Sequence, residues 1–178
     1  KRSDSIHTTW FQKLISLEKF YPSSVNLIRL KAKTLTFMRR HNESIELLSS
    51  FTKSSSFNSQ IFYDLGETYF STGEYEKALR LLTKLLKRCP NMYSAYVLLS
   101  NTYRKMGKNF AAEKALQKAC LVDAQNPIAY ELLCELHEDA INIDAINHVL
   151  TKAKEKLIDL SPALLYFKGQ LFFREENF

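Results

Sequence analysis

Residues that interrupt helices are scarce in this sequence. Four glycines and four prolines in 178 residues suit long helices joined by short turns. No apolar run approaches the length of a membrane span, so insertion as a transmembrane helix is excluded. Lys1 to Thr9 are polar and charged and do not read as a signal peptide. Cysteine is scarce too. Cys89, Cys120 and Cys134 lie far apart and cannot all pair, which points to reduced thiols and an intracellular setting, cytoplasmic or nuclear. His7, His41 and His148 make no nucleophile or acid–base constellation. Gly66 and Gly73 follow no strand and make no phosphate loop. Nothing calls for a catalytic residue or a cofactor, and the expectation is a protein that is not an enzyme.

The formal charge of +6 is unevenly spread. Residues 1–58 hold ten Lys/Arg against four Asp/Glu, residues 59–126 ten against six, and residues 127–178 five against nine. That polarity can orient a charged partner, but it is too diffuse to indicate nucleic-acid binding by itself.

What the sequence does have is a period. The segment 59–92 contains Phe62, Leu65-Gly66, Tyr69, Gly73, Tyr75, Ala78, Leu82 and Pro90, and a step of 34 lands on Tyr96, Leu99-Ser100, Tyr103, Gly107, Asn109, Ala112, Leu116 and Ala124. A fixed period of this length means stacked helix pairs. Apolar residues recur at three and four within each period, so each unit is read as two amphipathic helices and the fold class as all-α. In the second unit the helices are read at Gln60–Ser71 and Tyr75–Lys87, with the turn at Thr72-Gly73. In the third they are read at Ser94–Lys105 and Asn109–Val122, with the turn at Met106-Gly107.

The same frame extends both ways. Ile28, Ala32, Leu35, Ser44, Leu48 and Phe51 fill packing positions in a unit where Arg39 replaces the turn glycine. Pro22 marks an earlier boundary, and Ser5–Phe20 reads as an orphan second helix with Trp10, Leu14 and Leu17 inward. Ser54-Ser55-Ser56 falls at an inter-repeat turn. Downstream, Tyr130, Leu133-Cys134, His137, Ile146, Leu150 and Ala153 are in register, though the turn from Ala140 to Ile143 lacks glycine. Leu165, Gly169 and Phe172 begin a last unit, offset by one residue. The expected organisation is one array with a partial repeat at 5–24, repeats at 25–58, 59–92, 93–126 and 127–161, and a partial repeat at 162–178. Both ends fall inside a repeat, and Asn177-Phe178 stops where a further helix would begin. The reading is therefore a fragment of a longer array, or an uncapped face at Leu164–Phe173 that docks onto another chain, homo-oligomer included.

Phe62, Leu65, Gly66, Tyr69, Ala78 and Pro90, with Tyr96, Leu99, Tyr103, Ala112 and Ala119 in the next unit, resemble the tetratricopeptide repeat (TPR) family. The resemblance spans residues 5–178 and is strongest over 59–126. It implies a right-handed superhelical solenoid of antiparallel helix pairs, with the first helix of each pair lining a concave groove that takes peptides or helices of partner proteins. The small residues Ala32, Gly66, Ser100, Cys134 and Gly169 are where the two helices of a pair approach closely.

Carried onto this sequence, the groove positions include Arg29, Lys33, Tyr63, Asp64, Glu67, Asn101, Arg104, Lys105, Glu131, Glu135, Glu138 and Asp139. The contact set expected to meet a partner is Tyr63, Asp64, Glu67, Asn101, Arg104, Lys105, Glu131 and Glu135. The acidic C-terminal half suits a basic or amphipathic segment. The carboxylate clamp of one family subgroup falls on Arg29, Lys33, Asp64, Ser94 and Leu98, where Asp64 repels a carboxylate and Leu98 cannot donate. The other register, Tyr63, Glu67, Leu98, Ile128 and Leu132, is worse, so chaperone tails are disfavoured.

Cys134, His137 and Glu138 have a metal-like spacing but no second ligand pair, and the first two fall on core positions, so no metal site is expected. Lys84, Lys87, Arg88, Lys114 and Lys118 read as a basic stripe on outer helices, most simply a solvated face. The expected function is a non-catalytic protein–protein interaction scaffold within a larger multi-subunit assembly, of the kind seen in the anaphase-promoting complex. The alternatives are the substrate-recognition arm of an enzyme whose catalytic domain lies elsewhere, and an RNA-binding helical repeat. RNA-binding arrays of a related family favour 35-residue units without this Tyr/Gly/Ala/Pro pattern, so nucleic acid is disfavoured.

Overall fold

The structure, a computed structural model, describes residues 2–21, 24–54 and 57–176. The readings placed on Pro22, Ser55, Ser56, Asn177 and Phe178 lie outside the described residues. The described residues form ten α-helices and two compact units, 1–90 and 91–178. The first unit holds α1 (Arg2–Glu18), α2 (Val25–Phe37), α3 (His41–Ser54), α4 (Ser59–Ser71) and α5 (Tyr75–Arg88). The second holds α6 (Tyr93–Lys105), α7 (Asn109–Val122), α8 (Ile128–Asp139), α9 (Ile143–Lys156) and α10 (Pro162–Glu176). The fold class is all-α, built from sequential antiparallel helix pairs.

In the first unit α1 packs on α2, α2 on α3, α3 on α4 and α4 on α5, and α2 also touches α4. In the second, each helix packs on the next from α6 to α10, and α8 also touches α10. Helix starts follow local capping chemistry. The Asn58 side chain accepts from the N–H groups of Gln60 and Ile61 at 3.0 and 3.1 Å, and the Asn142 side chain accepts from Ala145 N–H at 3.1 Å.

The period is written into the packing. Ala32, Gly66, Ser100 and Cys134, 34 residues apart, are all buried. The helix that follows each of them buries a pair at the same step, Ser44/Leu48, Ala78/Leu82, Ala112/Leu116 and Ile146/Leu150. A Cβ built on Gly66 would lie 3.1 Å from Leu82 Cδ2, so here the helices approach closely enough that any side chain would press on Leu82. Gly169, one residue out of step with these four and expected to be a further close approach, is instead exposed with open space around it. Thr34, Thr68 and Thr102 keep the same period, and each buried hydroxyl donates to the carbonyl four residues back at 2.7–2.8 Å.

The turn inside each pair recurs four times. Arg39, Gly73, Gly107 and Ile141, again 34 apart, have φ of 59°, 80°, 71° and 55°. At each, the N–H of the following residue (Arg40, Glu74, Lys108, Asn142) donates to a carbonyl five back, at 2.8–2.9 Å. The left-handed residue itself donates three back at 2.9–3.1 Å. This double bond pattern is the Schellman C-cap. The missing glycines at Arg39 and in the turn from Ala140 to Ile143 therefore change the strain and leave the geometry intact.

A β-branched residue in this conformation costs about 1–2 kcal/mol. Ile141 is 78% exposed, so little burial is lost on removing its side chain. Ile141→Gly is expected to stabilise the fold by ~0.5–1 kcal/mol after the greater unfolded-state freedom of glycine is subtracted. Gly73→Ile, at a position with nothing within 4 Å, is expected to cost ~1–2 kcal/mol through the backbone alone. Paired urea titrations check both signs.

One packing expectation changes. Leu14 is buried, but Trp10 and Leu17 are 57% and 45% exposed instead of inward. Among the described helices α1 packs mainly against α2, which leaves part of its apolar surface uncovered.

Candidate peptide-binding groove

In the first unit, Arg29 and Lys33 on α2 stand one turn apart, Glu67 on α4 stands one turn from the adjacent Tyr63 and Asp64, and the two helices touch. Arg29 grips Asp64 with both ends of its fork, Nε to Oδ2 at 2.6 Å and a terminal nitrogen to Oδ1 at 3.3 Å. Asp64 is 3% exposed, so this carboxylate is spent inside the chain. The Arg29 pKa is raised, first by its hydrogen bond to Asp64.

Glu67, one turn on, is different. It is half-buried, and its carboxylate has no hydrogen-bond or ion-pair partner among the described residues. Burial is the main cause raising its pKa and the Asp64 charge adds to it, while Lys33 and Arg29 pull the other way. Burial, with help from Glu67 and Asp64, pushes the Tyr63 phenol up to about 12, so it stays a neutral donor. Glu67, Lys33, Thr36, Phe37 and Ser71 line a cleft of about 350 Å³, together with the buried residues Ala32, Leu48, Asp64 and Thr68. The cleft therefore offers a mixed floor, in which the Asp64 carboxylate is held by Arg29 beside apolar groups, with the Glu67 carboxylate and the Lys33 ammonium at its edge.

In the second unit, Arg104 on α6 reaches two carboxylates on α8, Glu135 Oε2 and Asp139 Oδ2, each at 3.1 Å. All three groups are exposed to solvent to some degree, and such pairs are worth at most about 1 kcal/mol. Asn101 is half-buried and Lys105 exposed on the same helix. Glu131 accepts a hydrogen bond from Ser161 Oγ, which also caps Leu164 N–H, so Glu131 anchors the start of α10. Three of the eight expected contact residues thus lie in the first unit and five in the second, and Asp64, Arg104, Glu131 and Glu135 have internal partners.

Thr36, Phe37, Thr68 and Ser71 were not in the sequence reading of the site, although Thr68 had a signal in its 34-residue spacing from Thr34 and Thr102. Cys134 is fully buried, and burial pushes its thiol up to about 12. His137 Nε2 lies 3.8 Å from Glu113 Oε1. Among the described residues no three His, Cys, Asp or Glu side chains cluster as metal ligands, and no helix is long and apolar enough to cross a membrane.

A 34-residue period carried by helix pairs, with Schellman turns and a side-chain-lined cleft on the first helices, defines a tetratricopeptide repeat protein. Residues 4–121 match the family model described as Integrator complex subunit 8, TPR repeats, and the chain belongs to that family. The fold is similar to the crystal structure of MamA, at 23% identity over 88% of this chain and 91% of that one, with a TM-score of 0.71. It is also similar to TTC0263, a TPR protein of Thermus thermophilus, at 18% identity, 93% and 88% coverage and a TM-score of 0.68. A chain of the APC/C hetero-tetramer Cut9–Hcn1 is similar at 16% identity, covering 96% of this chain and 32% of that one, with a TM-score of 0.64. At these identities the likeness is one of fold. A comparison with curated proteins gives no match.

Proposed function

We propose that this protein is a non-catalytic interaction scaffold that captures a basic or amphipathic segment of another protein, and that Glu67 receives a cation of that segment. The half-buried carboxylate of Glu67 on the cleft edge supports this reading best, because a Lys or Arg there would meet an acceptor with no hydrogen-bond or ion-pair partner among the described residues. Tyr63 offers a neutral donor beside it. Asp64 acts indirectly, through Arg29. In the second unit, Glu135, Arg104, Asn101 and Lys105 are the proposed contacts, and Glu131 holds α10 in place beside them.

A place in a multi-subunit assembly, in cytoplasm or nucleus, fits the same reading. The matched family is described from a subunit of the Integrator complex, and one similar structure is an APC/C hetero-tetramer. The three free cysteines agree with a reducing compartment.

Affinity capture with the intact chain and with Glu67→Lys tests the groove. Loss of the same partners on reversal, in a variant that still melts cooperatively, is the expected result, and capture unaffected by Glu67→Lys would overturn it. A pH series sharpens the test. A partner cation favours ionised Glu67, so affinity should fall as pH drops through the raised titration of this group, and Glu67→Gln should flatten that fall. The stability sign is opposite. A carboxylate with a raised folded pKa is destabilising above its unfolded value, so Glu67→Gln should stabilise the free protein at neutral pH by up to ~1 kcal/mol, discounted for partial exposure. That gain should vanish below the ordinary carboxylate range.

A further inference from the structure

The groove reading leaves the outer face of α5 unused. Lys77, Arg80, Lys84, Lys87 and Arg88 are all exposed, and steps of three or four residues, ending on the adjacent Lys87 and Arg88, set them on one face. At about 1.5 Å per residue the row is ~16 Å long. Lys77 pairs with Glu74. Among the described residues, no carboxylate lies within ion-pairing distance of Arg80, Lys84, Lys87 or Arg88. Glu76 is confined to the first turn of the helix, where the helix dipole favours an anion.

Two of the cationic heads are already placed. Lys84 Nζ sits 5.5 Å from the ring centre of Phe62, and the Arg88 guanidinium 4.7 Å from that of Phe57. The two rings pack against each other at 4.7 Å. Heads held over aromatic faces lose less freedom when an anion arrives.

We propose that this face of α5 is a second docking surface, whose occupant is a short acidic protein segment presenting carboxylates three or four residues apart on a helix. A facing helix with that spacing meets the row charge for charge. Every exposed residue of α5 is polar, so nothing on it inserts into a bilayer. Phe57 and Phe62 are covered by Arg88 and Lys84 and offer no ring for base stacking. The other outer helix of the pairs in this unit, α3, exposes Glu43 and Glu46, so within this unit the positive row is confined to α5 and its length fits a segment of about ten residues. The inference does not depend on the groove.

The test uses a fluorescent peptide of about fourteen residues with Glu at three- and four-residue spacing, read by anisotropy against the full chain. Arg80→Glu/Lys84→Glu/Lys87→Glu should weaken binding by about tenfold or more, and the corresponding triple Gln variant by a smaller factor. Glu67→Lys should leave peptide affinity within about twofold, because it lies in the groove. Circular dichroism melts establish that each variant is folded, and the Gln variant decides the matter where the reversal is not. Peptide affinity unchanged by neutralising the row overturns the proposal. So does tighter binding of a single-stranded RNA than of the peptide at the same salt concentration, which would make the row a phosphate surface.

Discussion

Leu82→Ala is expected to lower the unfolding free energy by about 2–5 kcal/mol. Leu82 is fully buried, and its branch fills the notch left by the missing side chain of Gly66, where a built Cβ would stand 3.1 Å from Cδ2 and 3.3 Å from Cγ. The helix carrying Gly66 cannot move in to close the hole, because α4 also packs on α3. The partner substitution separates this cause from generic core loss. In the parent, Gly66→Ala gains up to ~1 kcal/mol of helix propensity and loses a comparable amount by squeezing Leu82. With Leu82 truncated the squeeze is gone and only the gain remains. The double variant should therefore be more stable than Leu82→Ala by ~1 kcal/mol, measured by urea unfolding in a double-mutant cycle. Strict additivity would show that the two positions do not constrain each other.

Positions of this kind were legible in the sequence because packing between paired helices demands small residues at a fixed step. Ala32, Gly66, Ser100 and Cys134 differ chemically but share a size limit, and all four are buried. The turns were half legible. Gly73 and Gly107 announced themselves, whereas Arg39 and Ile141 take the same left-handed conformation with no local signal for it. Tertiary packing on both flanking helices imposes that conformation against residue preference. Trp10 and Leu17 misled for the converse reason: apolar residues at helical spacing mark a face that could be covered, not one that is.

At the site, the sequence placed Arg29, Lys33, Asp64 and Glu67 on neighbouring helices but could not say which charges neutralise one another. That choice depends on side-chain reach at sub-ångström resolution. Arg29 reaches Asp64 and leaves Glu67 open; Arg104 reaches Glu135 and Asp139. Periodicity carries no information at that scale.

The Arg29–Asp64 pair therefore supplies the other large effect. Arg29→Ala strips two donors from a carboxylate whose side chain is only 2% exposed, while Arg29 itself is 24% exposed. A buried charge left alone costs several kcal/mol, and discounting for water admitted where the arginine stood gives about 2–4 kcal/mol. Asp64→Asn should cost less, about 1–2 kcal/mol, because the amide keeps one acceptor and the shape while the freed guanidinium can hydrate. Arg29→Met/Asp64→Leu, which removes both charges and keeps volume, should recover to within about 1 kcal/mol of the parent. Urea unfolding of the three variants orders them, and an Asp64→Asn cost larger than that of Arg29→Ala would mean that the arginine is not what makes the buried carboxylate tolerable. The same substitution reaches the groove. Asp64 is one of the charges that raise the Glu67 pKa, and Arg29 is one that lowers it, so Asp64→Asn removes the repulsion and frees the attraction together. Both changes make Glu67 ionise more readily. In Asp64→Asn, the acid-side loss of partner binding should therefore move to lower pH than in the parent, even though the variant protein is less stable.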